Sequence, residues 1–160
     1  MSAPIATLFG IGHLRPASGT WGSLATLPLF WVSYQLTGVG GVIVLTPAIF
    51  FVGWWATAKY IRATASHDPS EVVIDEVAGQ WIALLPLAFL MSLSNTQTNA
   101  LWPEWAAAFV LFRLFDITKP GPVGWADRRD DALGVMLDDC IAGVLAAVGV
   151  AIVIFTRQGL

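Results

Sequence analysis

Residues 24–58, "LATLPLFWVSYQLTGVGGVIVLTPAIFFVGWWATA", contain no charged side chain. As one helix at 1.5 Å per residue they would extend about 50 Å, well beyond the ~30 Å hydrocarbon core of a bilayer. The run therefore has to turn back on itself. "TGVGG" at 37–41 is where it can, because glycine weakens helices and opens turns. The reading is a short or re-entrant first segment at 24–36 and a fuller span at 41–58.

The rest of the chain fits a membrane protein. Of its 160 residues 56% are hydrophobic and 12% charged, against roughly a quarter charged in soluble domains. Further apolar segments fall at 77–93, at 102–118 (marginal in length and ended by Pro120) and at 140–156. The fold class is all-α: a polytopic integral membrane helical bundle of about four to five segments, forming one domain over residues 1–160. Trp21, Trp54, Trp55, Trp81, Trp102, Trp105 and Trp125 lie near the ends of apolar runs, where amphipathic rings settle at headgroup depth.

Several function classes drop out. A net charge of −3 with eight scattered Lys and Arg offers no basic surface for nucleic acid. A single cysteine, Cys140, excludes an internal disulfide or a CxxC zinc site and reads as a small packed residue. The N-terminus lacks the basic, apolar and small-residue order of a secretory signal, so no removed leader is expected.

Loop charges orient the bundle. Arg15, Lys59 with Arg62, and Lys119 with Arg128 and Arg129 fall in loops on one face, and the loops near 37–40 and 94–101 hold no Lys or Arg. The basic face is expected to be cytoplasmic, with Arg157 as the one exception. All acids except Glu104 lie on that same face.

The densest acids are in "SHDPSEVVIDEVAGQW", residues 66–81. Asp68, Pro69 and Glu71 have the spacing of a capping box, which competes evenly with a functional reading. Glu71 and Asp75 at i, i+4, with Glu76 beside them, would repel on one helical face unless a divalent cation turned the repulsion into ligation. Gly79 and Gln80 extend the same turn, one opening room for a neighbour and the other offering an amide. In "FRLFDITKP" Arg113, Asp116 and Lys119 step by three, which suits either a ladder of ion pairs or a group of residues shared by a phosphoryl group and a metal. Asp138 and Asp139 open the last apolar segment, where the helix dipole favours one acid but does not account for two. Thr20 and Ser23, among the glycines of "GIGHLRPASGTWGSLATLP", suit an anion held at a helix N-terminus, and His13 reads as a polar loop residue.

Oxygen donors dominate this set, and two histidines and one cysteine cannot supply an ordinary zinc site, so Mg²⁺ is the expected ion. A phosphate monoester is the substrate class such a site suits. Four stretches then carry a resemblance: "ASGTWGSLATLP", "DPSEVVIDEVAGQWIAL", "FRLFDITKPGPVGWADR" and "GVMLDDCIAGV". In order over residues 10–145 they resemble the phosphatidylglycerophosphatase A family of bacterial lipid phosphatases, with Ser18 where that family's first motif has proline. The resemblance implies Mg²⁺-dependent hydrolysis of phosphatidylglycerophosphate to phosphatidylglycerol at the cytoplasmic face of the bacterial inner membrane.

The residues expected to act are Asp75, Glu76, Asp116, Lys119 and Asp139 in catalysis. Arg113, Lys119, Thr20, Ser23 and Gln80 are expected to bind substrate. Asp68, Glu71, Asp75, Glu76, Asp116, Asp138 and Asp139 are the candidate metal ligands. A small cation transporter or sensor is the alternative, although acids gathered at one face suit a surface site better than an ion path. The DGxxAR core of CDP-alcohol phosphotransferases and the DxDx[TV] string of aspartyl-phosphate enzymes are both missing. His13 and His67 also lack the arginine-bearing surroundings of histidine-based lipid phosphatases.

Overall fold

A computed structural model describes residues 2–65, 69–93 and 101–159, and all regular structure among them is helical. A short helix α1 (Ser2–Ala6) and a 3₁₀ turn (Ile11–His13) precede the long α2 (Ser18–Thr64). α3 (Ile74–Leu93), α4 (Trp102–Thr118), α5 (Pro122–Asp127) and α6 (Ala132–Gln158) follow.

α2 breaks at Gly38, whose φ of 67° and ψ of −171° only glycine adopts readily. Both arms then return to one place. A Cβ on Gly22 would stand 2.9 Å from Val73, and one on Gly53 would stand 3.1 Å from Ile74 and 2.8 Å from Met136. Residues on either side of the break thus meet the same end of α3, so the chain reverses near the expected glycine cluster. The arms measure about 30 and 39 Å at 1.5 Å per residue. The first begins at Ser18, ahead of the expected position 24, because the glycine-containing lead-in is itself helical.

α2, α3 and α6 are long and apolar enough to cross a membrane. α4 keeps the expected bounds but has 17 residues and carries Glu104, Arg113 and Asp116. α3 and α6 run parallel and α4 runs against them, since Lys119 meets Asp138 at one end while Glu104 meets Arg157 at the other.

Phe30 ties the first arm of α2 to two of these helices, edge-on to Trp81 at 5.2 Å and to Trp105 at 6.0 Å. These two tryptophans therefore pack inside the bundle instead of standing at the membrane boundary, because bulky rings are needed to fill the space between α2, α3 and α4. Trp21, Trp54, Trp55, Trp102 and Trp125 are exposed, as expected of boundary residues. Leu36, Val44, Val148, Ile152 and Phe155 give the outer faces an apolar surface that suits lipid.

Candidate active site

Glycine contact sets the site. A Cβ on Gly79 would lie 2.5 Å from the Asp139 carbonyl oxygen and from the Phe112 ring, and one on Gly143 would overlap the Gly79 carbonyl. α3 and α6 therefore touch backbone to backbone. Asp75, one turn before Gly79, is brought alongside Asp139, one turn before Gly143.

Helix starts differ from the expected ones in ways that matter here. α6 begins at Ala132, where Asp131 is the N-cap and accepts a hydrogen bond from the Gly134 amide at 2.7 Å. The helix dipole is thus complemented by Asp131, and Asp138 and Asp139 sit almost two turns inside the helix. α3 begins at Ile74, so Glu71 lies in the preceding turn and forms no capping box. Its carboxylate instead stands 3.5 Å from Arg15. Glu71 and Asp75 therefore share no helical face. Asp68 lies outside the described residues.

The segment before α2 is strapped to that turn: the Val73 amide donates to Ala6 O at 2.9 Å and Ser18 Oγ donates to Ser70 O at 2.7 Å. The strap brings the start of α2 against the acids. A Cβ on Gly19 would overlap Glu76 Oε1 and stand 3.0 Å from Arg113 Nη1.

α4 supplies the cations and a fifth acid. Arg113 Nη1 lies 2.7 Å from Asp116, 3.7 Å from Glu76 and 3.5 Å from the Ser23 hydroxyl. Lys119 caps α4 in the left-handed conformation, with φ of 45°, and this turn carries it off the expected ladder. Its amine pairs with Asp138 at 3.0 Å and with Asp127 of α5. Burial disfavours the Lys119 charge, but hydrogen bonds to Asp127 and Asp138 outweigh it and hold the amine above the usual lysine range.

Five carboxylates form two groups. Oxygens of Asp75, Glu76 and Asp139 lie within 4.8 Å of one another, as do those of Asp116, Asp138 and Asp139. Asp75 and Asp138 each accept a hydrogen bond from the next backbone amide, at 3.0 and 2.9 Å, which orients them. All five line a cavity of about 440 Å³. Asp127 and Asp130 also line it, together with Arg15, Arg113, Lys119 and Arg129, so seven acids against four bases leave a formal −3.

Thr20, Ser23 and Gln80 do not line the cavity. Ser23 is buried beneath it as a partner of Arg113. Gln80 is fully buried, and its amide has no hydrogen-bond partner among the described residues. Sequence reasoning did not single out Arg15, Gly19, Asp127, Asp130 or Arg129 as site residues. The charge density of "ADRRDD", residues 126–131, three residues after a helix-ending "KPGP", was the available signal for three of them.

Apart from the two cations, the charged groups at the centre of the cavity are carboxylate oxygens, the donor set of a hard divalent ion. Glu76 Oε2 is buried without a hydrogen-bond partner among the described residues, as an oxygen reserved for an ion would be. The residues fit such an ion.

Comparison with known proteins agrees with the geometry. The family model described as phosphatidylglycerophosphatase A matches residues 4–154. A Haemophilus influenzae protein named phosphatidylglycerophosphatase A is 38% identical over 155 residues, covering 96% of this chain and 86% of the relative. The Escherichia coli protein of the same name is 33% identical over 151 residues, covering 89% and 77%. A Bacteroides thetaiotaomicron protein provisionally named phosphatidylinositol-3-phosphatase is 35% identical over 153 residues, covering 92% and 90%. No solved structure matches. With its acids and cations gathered in one cavity and a family match that runs nearly end to end, the chain belongs to the phosphatidylglycerophosphatase A family and is a phosphoric monoester hydrolase acting on a phospholipid.

Proposed function

We propose that the whole chain acts as one Mg²⁺-dependent phosphatase domain that hydrolyses the terminal phosphomonoester of phosphatidylglycerophosphate. The products are phosphatidylglycerol and inorganic phosphate. The reading rests on one observation above all: two carboxylate groups sharing Asp139 lie in the same cavity as Arg113 and Lys119.

Arg113 and Lys119 offer planar and point positive charge to the phosphoryl oxygens. Both are held by acids, so they are in place before substrate arrives. Asp75, Glu76, Asp116, Asp138 and Asp139 are the residues that would hold Mg²⁺. When bound, the ion supplies Lewis-acid polarisation of the phosphoryl group and a more acidic water. Water forms the new P–O bond, a carboxylate of the group takes its proton, and the bond to the glycerol oxygen breaks with protonation of the leaving alcohol. The site belongs to the cytoplasmic face of the bacterial inner membrane, as the basic loops argue.

The test is release of inorganic phosphate from detergent-solubilised phosphatidylglycerophosphate with Mg²⁺ and with EDTA. Release that needs the added ion supports the reading, and no release under either condition overturns it. The same assay on phosphatidylinositol 3-phosphate separates the two headgroups named among the relatives. A cation transporter would instead move ions across liposomes without releasing phosphate.

A further inference from the structure

We infer that the site holds two divalent ions bridged by Asp139, and not one; the inference rests on the metal-dependent reading above. Asp139 is the one residue common to both groups of oxygens, with Asp75 and Glu76 on one side and Asp116 and Asp138 on the other. Oxygens around a single small divalent ion lie at most about 4.2 Å apart, twice a 2.1 Å metal–oxygen distance. Each group, with its oxygens within 4.8 Å, is close to that span.

The side chains themselves point to ligands. Asp139 is only 3% exposed and lines the cavity against the carboxylates of Asp75, Asp116 and Asp138. Glu76 Oε2, on the Asp75 side, is buried without a hydrogen-bond partner among the described residues. On the other side Lys119 and Arg113 each hold one oxygen, of Asp138 and of Asp116, and the Asp139 amide donates to the other Asp138 oxygen; each carboxylate oxygen has two lone pairs, so acceptor capacity remains for an ion. Carboxylates buried to this degree are costly unless something neutralises them.

Charge chooses between one ion and two. The cavity lining carries a formal −3. One divalent ion leaves it at −1, still repelling a phosphomonoester dianion, whereas two bring it to +1. A shared carboxylate between two such ions is also the arrangement that serves both the attacking and the leaving oxygen of an in-line displacement.

The experiment uses Mn²⁺ alone as a paramagnetic probe with the full-length protein in detergent, read by equilibrium dialysis and electron paramagnetic resonance. Two Mn²⁺ per chain with a spin-coupled spectrum is the expected result. Asp75→Asn and Asp116→Asn should each retain one ion and lose the coupling, and Asp139→Asn should lose the coupled signal altogether. One Mn²⁺ per wild-type chain at saturation overturns the pair while leaving the Mg²⁺ phosphatase reading intact. Two ions without coupling, or a coupled spectrum that survives in Asp139→Asn, also overturns it. No bound Mn²⁺ removes both readings together. The wild-type stoichiometry decides the matter even if a variant misfolds.

Discussion

Asp116 does two things with one carboxylate: it holds Arg113 at 2.7 Å and it faces Asp138 and Asp139 across the second group of oxygens. Asp116→Asn keeps the shape and removes the charge. Phosphate release should fall by roughly 10²–10³-fold, the range for losing one charge-stabilising group in an active site, with normal recovery in the membrane fraction. Full activity in this variant would remove Asp116 from the site. Glu71 makes the contrast. Its partner Arg15 is largely exposed and Glu71 belongs to neither group. An exposed ion pair contributes about 0–1 kcal/mol, so Glu71→Gln should keep activity within about threefold in the same assay. Residue type and spacing made the central acids legible in the sequence. The same spacing could not tell Glu71 as a helix cap from Glu71 as a partner of Arg15, 56 positions earlier, because that choice is made by tertiary contact. Asp127 was hidden for a similar reason: it matters only because Lys119 turns out of α4 to meet it.

At the scale of helices, the crossing of α3 and α6 at Gly79 and Gly143 is the joint on which the site depends. Gly79→Ala puts a methyl into the Asp139 backbone, and overpacking of this kind costs about 1–3 kcal/mol. The expected outcome is a lower melting temperature in detergent together with a loss of phosphate release. A melting temperature unchanged from wild type would show that the two backbones do not touch. The start of α6 gives a pH-dependent test. Hydrogen bonds from Arg129 and from the Gly134 amide hold Asp131 below the usual carboxylate range. A lowered pKa contributes stability fully above the unfolded value of about 3.9 and loses it as pH falls through the folded value. Asp131→Ala should therefore melt earlier than wild type at pH 7, by about 1 kcal/mol or less because the cap is half-exposed. The gap should narrow below about pH 4. Hydropathy set the expected start of this helix at 140, eight residues late, because the polar turns of a helix that reaches past the apolar layer carry no apolar signal. The Gly38 break was legible, since an uncharged run longer than a bilayer has to turn and only its glycines permit it.

Across the whole molecule, charge is divided between the two ends of the bundle. Asp75, Glu76, Asp116 and the Asp138–Asp139 pair share one end, with Arg15, Lys119 and Arg129 around them. At the opposite end Glu104 is fully buried and its carboxylate accepts from Arg157 at 3.1 Å and from Gln158 at 3.4 Å. Arg157, which breaks the loop-charge pattern, is thus the partner of a buried acid. The proposed cytoplasmic orientation rests on the loop cations at the cavity end, Arg128 among them. Arg128 is exposed at the end of α5 beside the cavity, and Trp102 is exposed at the far start of α4. In a Cys140→Ser background that still releases phosphate, Arg128→Cys should react with a membrane-impermeant maleimide in inside-out vesicles and stay unlabelled in intact spheroplasts. Trp102→Cys should behave in the opposite way. The reverse pattern would place the cavity on the outer face and sink the cytoplasmic assignment, and labelling of both sites from one side would show that α4 does not separate the two surfaces.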